Sequence, residues 1–405
     1  MTYNPSSASW QAWCAVVLGC GLFFFQFFQL SSFNVLSNEL ITLFGFSPTV
    51  IGTISGQYFL AAALFAIPAG LIIDRRSPRQ VLLICMTLSV IFSWALTLVE
   101  HPVSFGIIRF IQGFLHAFCF LVAMKMATLW LPPKQMALAT GLIITLGMLG
   151  GMAAQTPLTL LVDHFGWKTA LHFFTLGGLG LCLLMFIFIR VPAGYQPQQH
   201  QASFSLKQAL KVTFSNRQNW CAGMYTAFLN LPLIVLGGLW GSQYLMQVYH
   251  LSDTSAASIV SMLFLGTLIG SPIMGYCSDR WQRRCRPMIV AALMSTILLI
   301  YMLLTPSFST LALYLAFFGI GLFTSAQIIS YPLITESNHD HISAAALSIA
   351  SVIIMGMPSL FQPLFSGLVE FFGFHTAFAS LPIICMIGVL FILPLRETYC
   401  KRIVS

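Results

Sequence analysis

Arg109, His116 and Lys125 all lie within one apolar run of the sequence, Val103–Met126. Arg109 and His116 are seven positions apart, so on a helix they share one face, with Gln112 between them. A buried guanidinium needs a counter-charge, which the carboxylate of a bound molecule could supply. The imidazole of His116 titrates near neutral pH and could carry a proton. These residue types and their spacing indicate an anion site beside a proton carrier.

Each of these residues also has a structural interpretation. Arg109 could bond to backbone carbonyls and hold helices together, and His116 could be a hydrogen-bonded packing residue. Lys125 lies near the end of the run on almost the opposite azimuth, where a long side chain reaches the membrane surface; binding or gating is its alternative role. None of the ten acidic residues falls inside an apolar run, so the pattern offers these basic groups no acidic neighbour at the same depth.

The composition places these groups inside a membrane. Hydrophobic residues make up 58% of the 405 residues, and charged residues make up 7%, where a soluble chain has about 25%. Twelve apolar runs are long enough to cross a hydrocarbon core of about 30 Å as helices. The sequence therefore predicts an all-α membrane protein with twelve transmembrane helices and excludes a globular enzyme. The predicted spans are Ala12–Leu30, Val50–Ile73, Val81–Val99, Val103–Met126, Met136–Val162, Ala170–Ile189, Trp220–Trp240, Ala256–Cys277, Met288–Thr305, Leu311–Leu333, Ile342–Val369 and Thr376–Leu395.

The distribution of basic residues predicts the orientation. With an even number of spans both termini lie on one side, and 15 of the 18 Lys and Arg residues fall in the segments on that side. Only Lys168 lies on the other side. Cytoplasmic segments are enriched in Lys and Arg, so we expect both termini in the cytoplasm. The net charge of +8 thus reflects the topology. The basic residues are scattered over short loops, which argues against a nucleic-acid partner.

Three pairs of similar segments recur at offsets of 205 to 207 positions. They are Gln11–Ala15 and Gln218–Ala222, Gly70–Arg75 and Gly275–Arg280, and Leu161–Ala170 and Leu368–Ala377. Repeats at one offset indicate two halves of six spans built on one plan. We expect an amino-terminal six-helix bundle in residues 1–191, a cytoplasmic linker with an interfacial helix in 192–217, and a carboxy-terminal bundle in 218–405.

The chain resembles transporters of the major facilitator superfamily. Gly70-x-x-x-Asp74-Arg75 with Arg79 resembles the signature loop between spans 2 and 3, although Ser77-Pro78 stands where that family prefers Gly-Arg. The repeat carries a second copy at Gly275, Asp279 and Arg280, and Arg109-x-x-Gln112-Gly113 resembles the span 4 signature. The resemblance implies gating by both loops. An acid there can accept hydrogen bonds from the start of a neighbouring helix and latch the inner side shut.

A narrower resemblance runs through spans 4 and 5, to the phagosomal nutrient transporters (Pht family) of intracellular bacteria, which import amino acids or nucleosides. It rests on Lys125-Met-Ala-Thr128-Leu-Trp130-Leu-Pro132-Pro133, Gly141, Leu146–Gly150, Gln155-x-Pro157-Leu158 and Gly166-Trp167. Span 1 departs from that family, with Leu30-Ser-Ser32-Phe33 where an Arg-x-Ser-Pro element is expected.

By the superfamily resemblance, spans 1, 4, 7 and 10 line a central cavity. The substrate-binding candidates on these spans are Gln26, Gln29, Arg109, Gln112, His116, Lys125, Asn230, Gln327 and Tyr331. His116 is also the candidate for proton coupling. No cofactor or metal is expected, because the ten cysteines lack a metal-binding spacing.

The predicted function is import of a small polar metabolite (an amino acid, a nucleoside or an organic anion) by a monomer through alternating access. The sequence has no nucleotide-binding P-loop, so the proton gradient is the expected driving force, with facilitated diffusion as the alternative. Import of a carboxylate siderophore and efflux are alternative transport functions. A non-transporting receptor is the alternative from a different class.

Overall fold

A computed structural model of the chain describes residues 10–132, 135–191, 213–305 and 309–401, leaving out the side chains of residues 11, 74, 137 and 340–344. The described part is helical, with short turns between helices. Eleven helices in it are long and apolar enough to cross a membrane. The predicted linker, residues 192–217, lies almost entirely outside the described residues.

The first half contains spans 1 to 6. Their bounds are Trp10–Phe44 for span 1, Pro48–Arg75 for span 2, Pro78–Ala95 with the turn Leu96–Leu98 for span 3, Pro102–Trp130 for span 4, Met136–Ala153 followed by Thr156–Phe165 for span 5, and Trp167–Phe188 for span 6. Proline opens spans 2, 3 and 4 because it lacks the N–H that a first helical turn leaves unpaired.

The second half contains spans 7 to 12. Span 7 comprises Arg217–Pro232, the π-helical segment Leu233–Trp240 and Gly241–Tyr249, and spans 8 and 9 are Asp253–Trp281 and Cys285–Leu304. Span 10 comprises Thr310–Thr324, the 3-10 turn Ser325–Ile329 and Ser330–Glu336. Spans 11 and 12 are carried by the segment Asp340–Phe378, which is interrupted at Gly373, and by the helix Ser380–Ile392 that follows it.

Gly373 divides that long helix into two spans. Its φ of 77° is non-helical, so span 11 ends there and span 12 begins with residues 374–378. Gly166, 207 positions earlier, has the same φ of 77° between spans 5 and 6. Glycine adopts this conformation without the steric cost of a β-carbon. The repeated Phe-Gly pair thus marks the same corner in both halves, which gives twelve spans in two related bundles.

The two halves pack against each other at the end of the bundle away from the termini. Spans 2 and 11 approach so closely there that a β-carbon on Gly52 would lie 2.1 Å from Ser366 Oγ. The amide of Thr49 donates to Glu370 across the same contact, at 2.9 Å. Spans 5 and 8 also meet at this end, where the hydroxyls of Thr156 and Ser261 are 3.4 Å apart.

Glycines near the other end of the same spans face open space. Apart from the glycine's own helix, no atom of the described residues lies within 4 Å of a β-carbon placed on Gly70 in span 2, Gly141 in span 5 or Gly275 in span 8. At these positions the spans are not packed against a neighbour.

Two helices extend beyond their predicted spans. Span 1 continues from Leu30 to Phe44, and span 7 continues from Trp240 to Tyr249. Both extensions carry polar residues, including Asn34 and Ser242, that are buried against other helices instead of facing lipid. A prediction from hydropathy places the end of a span at such polar residues, because hydropathy does not show that they are buried against other helices.

Candidate functional site

Arg109 is fully buried in span 4 and uses only part of its guanidinium for hydrogen bonds. Its Nη1 donates to the backbone carbonyl of Gln29 in span 1, at 2.8 Å, and to Oε1 of Gln112, at 3.2 Å. These contacts join spans 1 and 4, as the structural interpretation of this arginine requires. Both hydrogen bonds use the same one of the three guanidinium nitrogens.

The other two guanidinium nitrogens, Nε and Nη2, are buried without a hydrogen-bond partner in the described part of the chain. Nε and Nη2 form one edge of the planar group, the edge that holds the two oxygens of a carboxylate in a bidentate pair. A buried, unsatisfied donor is costly, and a buried charge more so. Arg109 therefore presents an unfilled fork suited to an anion.

Two aromatic rings flank the guanidinium. The ring centre of Phe33 in span 1 is 4.2 Å from Cζ of Arg109, and that of Tyr58 in span 2 is 4.4 Å away. Such cation–π contacts stabilise a desolvated cation by about 2 kcal/mol. Both rings are themselves fully buried, so they hold the guanidinium and restrict an approaching anion to its free edge.

His116 lies near Arg109 and makes its closest polar contact with Tyr58. The Tyr58 hydroxyl is 2.9 Å from His116 Nδ1. The rings of Phe23 and Phe27 in span 1 pack against the imidazole at centroid distances of 6.5 and 5.9 Å. Cys119 Sγ is 3.8 Å from the same Nδ1. The imidazole thus sits in an aromatic pocket with one strong hydrogen-bond partner.

Gln26 and Gln29, two binding candidates in span 1, are buried and bonded to span 3. Gln26 Nε2 donates to the hydroxyl of Ser89 at 2.6 Å, and Gln29 Nε2 donates to the Ser89 carbonyl at 2.9 Å. Oε1 of Gln29 has no partner among the described residues. The structure thus gathers Gln26, Gln29, Arg109, Gln112 and His116 into one cluster in the first half.

The remaining candidates lie apart from this cluster. Asn230 and Gln327 are half-buried and bonded to each other across spans 7 and 10, at 3.1 Å. Tyr331 is exposed in span 10, and Lys125 is half-buried toward the end of span 4. No described contact joins these four residues to Arg109, so the charged part of the site belongs to the first half alone.

A cluster of polar residues for which the sequence predicted no role joins the two halves by hydrogen bonds. Asn34 Nδ2 donates to Oε1 of Gln155 at 2.6 Å and to the hydroxyl of Ser242 at 2.9 Å, and the Ser242 amide donates back to Asn34 Oδ1. Gln155 Nε2 donates to the Gly237 carbonyl in the π-helical segment, at 3.0 Å. We call Asn34, Gln155, Gly237 and Ser242 the interface cluster.

Replacing Asn34 with alanine should loosen this interface. It removes two hydrogen bonds between the halves and leaves buried groups unpaired, at a cost of about 1–3 kcal/mol. That corresponds to about a 5- to 150-fold shift toward opening. A cysteine introduced at Thr159, beside the cluster, should then react faster with a membrane-impermeant thiol reagent. Thr42→Ala, which removes bonds only within span 1, is the control, and equal labelling in both variants would contradict the role.

At the end of the bundle near the termini, Arg284 organises a charged network within the second half. It pairs with Asp279 and Glu336, each at 2.6 Å, while Glu397 accepts from the amides of Arg284 and Cys285 at the start of span 9. Burial alone would lower the pKa of Arg284, but its hydrogen bonds to the two carboxylates outweigh that effect and raise it.

The predicted gating residues differ in their surroundings. Asp279 accepts from the Arg284 side chain, and Glu397 accepts from the backbone amides at the start of span 9. Arg75 and Arg280 are exposed, and Arg79 donates to the Phe186 carbonyl at 2.9 Å. The side chain of Asp74 lies outside the described residues. No described contact of these residues crosses between the halves in this conformation.

The chain is similar to known membrane proteins over most of its length. The sequence profile of the Major Facilitator Superfamily matches residues 18–361 and, in a second match, residues 232–403. A structure of the nucleoside transporter NupG superposes with a TM-score of 0.77 at 16% identity, covering 94% of this chain and 99% of that one.

Among curated relatives, the membrane sensor protein UhpC of Salmonella typhimurium is 21% identical over 95% of this chain and 91% of its own length. A probable L-galactonate transporter of Escherichia coli is 23% identical over 63% of this chain and 58% of its own length. The gallate transporter of Pseudomonas putida is 23% identical over 68% of both chains.

Proposed function

The chain belongs to the Major Facilitator Superfamily, and we propose that it imports a small organic anion across the bacterial inner membrane by alternating access. In this mechanism the two halves rock around a midplane site, so that the site opens to one side at a time. The two halves are in contact at the end away from the termini, which supports a state in which the site is closed to that side. The open glycine positions at the other end support its inward-facing direction.

The free Nε–Nη2 edge of Arg109 is the observation that carries this proposal. A carboxylate bound there would satisfy both unpaired donors and neutralise a charge buried in the membrane. Gln112 and Gln29 would hold the opposite edge and so keep the fork oriented. Arg109 is fully buried in this conformation, so binding requires that span 1 or span 2 shift enough to admit the anion along the guanidinium plane.

The relatives support the same chemistry. L-galactonate and gallate, named as substrates of two relatives, are both carboxylates. For this chain these two compounds define the class of candidate substrates, which is small hydroxylated carboxylates. We place Asn230 and Gln327 on the opposite wall of the cavity, where amide groups could contact the hydroxyls of such a substrate.

We propose that a proton accompanies the anion and that His116 carries it. Import of an anion into a cell with a negative interior is opposed by about 2.3 kcal/mol per charge for each 100 mV. Co-transport of one proton with one monovalent anion cancels this electrical work and adds the chemical gradient of the proton. His116, next to the anion site, supplies an imidazole whose ring nitrogens can bind and release a proton.

We propose that both termini lie in the cytoplasm and that the monomer is the transporting unit. The excess of Lys and Arg on the side of the termini supports this orientation. Both clusters described above are completed within one chain, which supports function as a monomer.

Uptake into proteoliposomes tests the proposed function. Purified protein should accumulate radiolabelled gallate or galactonate, with faster uptake when the outside is acidic, and should ignore neutral hexoses and cationic amino acids. Exchange of labelled for unlabelled anion measures transport without a gradient. Uptake that ignores the pH gradient would contradict proton coupling, and strict export would favour efflux. Binding without any flux would favour a sensor, the function named for the relative UhpC.

A further inference from the structure

Tyr58 lies between Arg109 and His116, although no role was predicted for it. It is fully buried in span 2, with its ring 4.4 Å from Arg109 and its hydroxyl 2.9 Å from His116 Nδ1. The same hydroxyl lies 3.3 Å from both Oε1 and the backbone carbonyl of Gln26 in span 1. One hydroxyl therefore has a strong partner on span 4 and alternative acceptors on span 1.

This arrangement can satisfy both charge states of His116. When Nδ1 is unprotonated, the Tyr58 hydroxyl donates its proton to that nitrogen. When the imidazole is protonated on both nitrogens, Nδ1 becomes a donor and the Tyr58 oxygen must accept from it. The hydroxyl proton can then turn to Gln26, so the Tyr58 hydroxyl and His116 Nδ1 stay hydrogen-bonded to each other in both states.

The alternative acceptor is held in place. Gln26 Nε2 donates to Ser89 Oγ at 2.6 Å, and Ser89 in turn donates to the Cys85 carbonyl at 2.7 Å. This fixes the amide so that its Oε1 points toward Tyr58. Spans 1, 2, 3 and 4 all contribute to the resulting chain from His116 through Tyr58 and Gln26 to Ser89.

The charged and titratable groups around His116 are few. Arg109 and Cys119 share its helix, Tyr58 faces it from span 2, Cys85 lies in span 3, and span 1 presents the uncharged rings of Phe23 and Phe27. A protonated His116 would be a second positive charge beside Arg109 in a pocket of low dielectric constant. An anion at Arg109 removes that repulsion and so favours protonation of His116.

We propose that Tyr58 is a positioning residue for coupling, whose hydroxyl reverses its hydrogen bond as His116 gains or loses a proton while its ring keeps Arg109 in place. This inference rests on the proposed anion and proton transport. In this proposal the Tyr58 ring supports anion binding at Arg109, and the Tyr58 hydroxyl supports protonation of His116. Substitutions that remove one or both of these groups therefore separate the two contributions.

Tyr58→Phe is the decisive variant, because it keeps the ring over Arg109 and removes only the hydroxyl. We expect a loss of about 10-fold or more in uptake driven by the pH gradient and a clearly smaller loss of anion exchange, since exchange requires no net proton movement. Tyr58→Leu, which also loses the ring, should impair both. Tyr276→Phe, at an exposed position of span 8, is the control. Equal loss of exchange and driven uptake in Tyr58→Phe, or no loss of driven uptake, would overturn the inference.

A second measurement needs no substrate and separates this inference from the proposed function. Without the hydroxyl, protonated His116 lacks an acceptor, so thermal stability of Tyr58→Phe in detergent should fall more steeply than that of the wild type as pH is lowered. The extra slope should vanish when His116→Gln is added. Failure of the wild type to move any anion would refute the proposed function, whereas an unchanged slope would refute the role of Tyr58.

Discussion

Arg109→Ala should abolish anion uptake, with a loss of about 100-fold or more relative to the wild type. A bidentate pair contributes two charge-assisted hydrogen bonds, each of about 1.5–3 kcal/mol, and 1.4 kcal/mol corresponds to a factor of ten. The loss should appear in exchange and in driven uptake alike, because both require the anion to bind. Initial uptake rates over a range of anion concentrations, together with equilibrium binding of the labelled anion, measure it.

Arg109→Lys should lie closer to alanine than to the wild type. Lysine keeps the positive charge but has no planar fork, and its ammonium stacks less well between the rings of Phe33 and Tyr58. Its three donors lie on one nitrogen, so hydrogen bonds to Gln29 and Gln112 would leave no second nitrogen to form a fork around the anion. Full activity of the lysine variant would show that charge alone is recognised and would refute the bidentate geometry.

Controls separate binding from folding. Lys168→Ala removes an exposed cation that pairs with Glu100 at 3.5 Å, and it should leave uptake unchanged. Arg109→Gln keeps donors for the Gln29 carbonyl, so it should fold even where alanine is unstable, and should still fail to transport. Wild-type uptake by a folded Arg109→Gln variant would leave this arginine with only its structural role.

Gly113→Ala should cause the second large effect, a loss of both stability and transport. A β-carbon on Gly113 would lie 1.9 Å from the backbone carbonyl oxygen of Tyr58 and 2.7 Å from its carbon. Because these are backbone atoms, no side-chain rotation relieves the clash and spans 2 and 4 must separate. Overpacking of this kind costs about 1–3 kcal/mol or more. The separation would also pull Tyr58 away from Arg109 and His116.

Thermal unfolding in detergent and anion exchange in proteoliposomes measure the two consequences of Gly113→Ala. The matched control is Gly177→Ala in span 6, where no atom lies within 4 Å of the added β-carbon. It should be neutral or slightly stabilising, since alanine favours a helix over glycine by up to about 1 kcal/mol. Indistinguishable melting curves for the two variants would contradict the close approach of spans 2 and 4.

The sequence predicted the architecture because its constraints are local and strong. A hydrocarbon core requires a long apolar run for each helix, so composition and run length gave the spans. The repeat at 207 positions predicted two related halves, and the positive φ of Gly166 and Gly373 marks the same corner in each. Arg109 and His116 were also identified from the sequence, because a basic residue in an apolar run is rare and costly.

The partners of those residues could not be predicted. Tyr58 is one aromatic residue in a chain with 36 Phe and 11 Tyr, and Asn34 follows two serines that look like the end of a span. The sequence also did not show that Arg284, five residues after Asp279, folds back to donate to it. Each of these contacts depends on which face of one helix meets which face of another.

Sequence alone thus determined that this protein is a twelve-helix membrane protein with basic groups and no acids at depth, because burial in lipid acts on each helix separately. Tertiary structure decided which edge of Arg109 is free, which hydroxyl meets His116 and which end of the bundle is closed. Those features depend on the packing of residues from spans 1, 2, 4, 5 and 7, whose distances and directions are fixed only when the helices assemble.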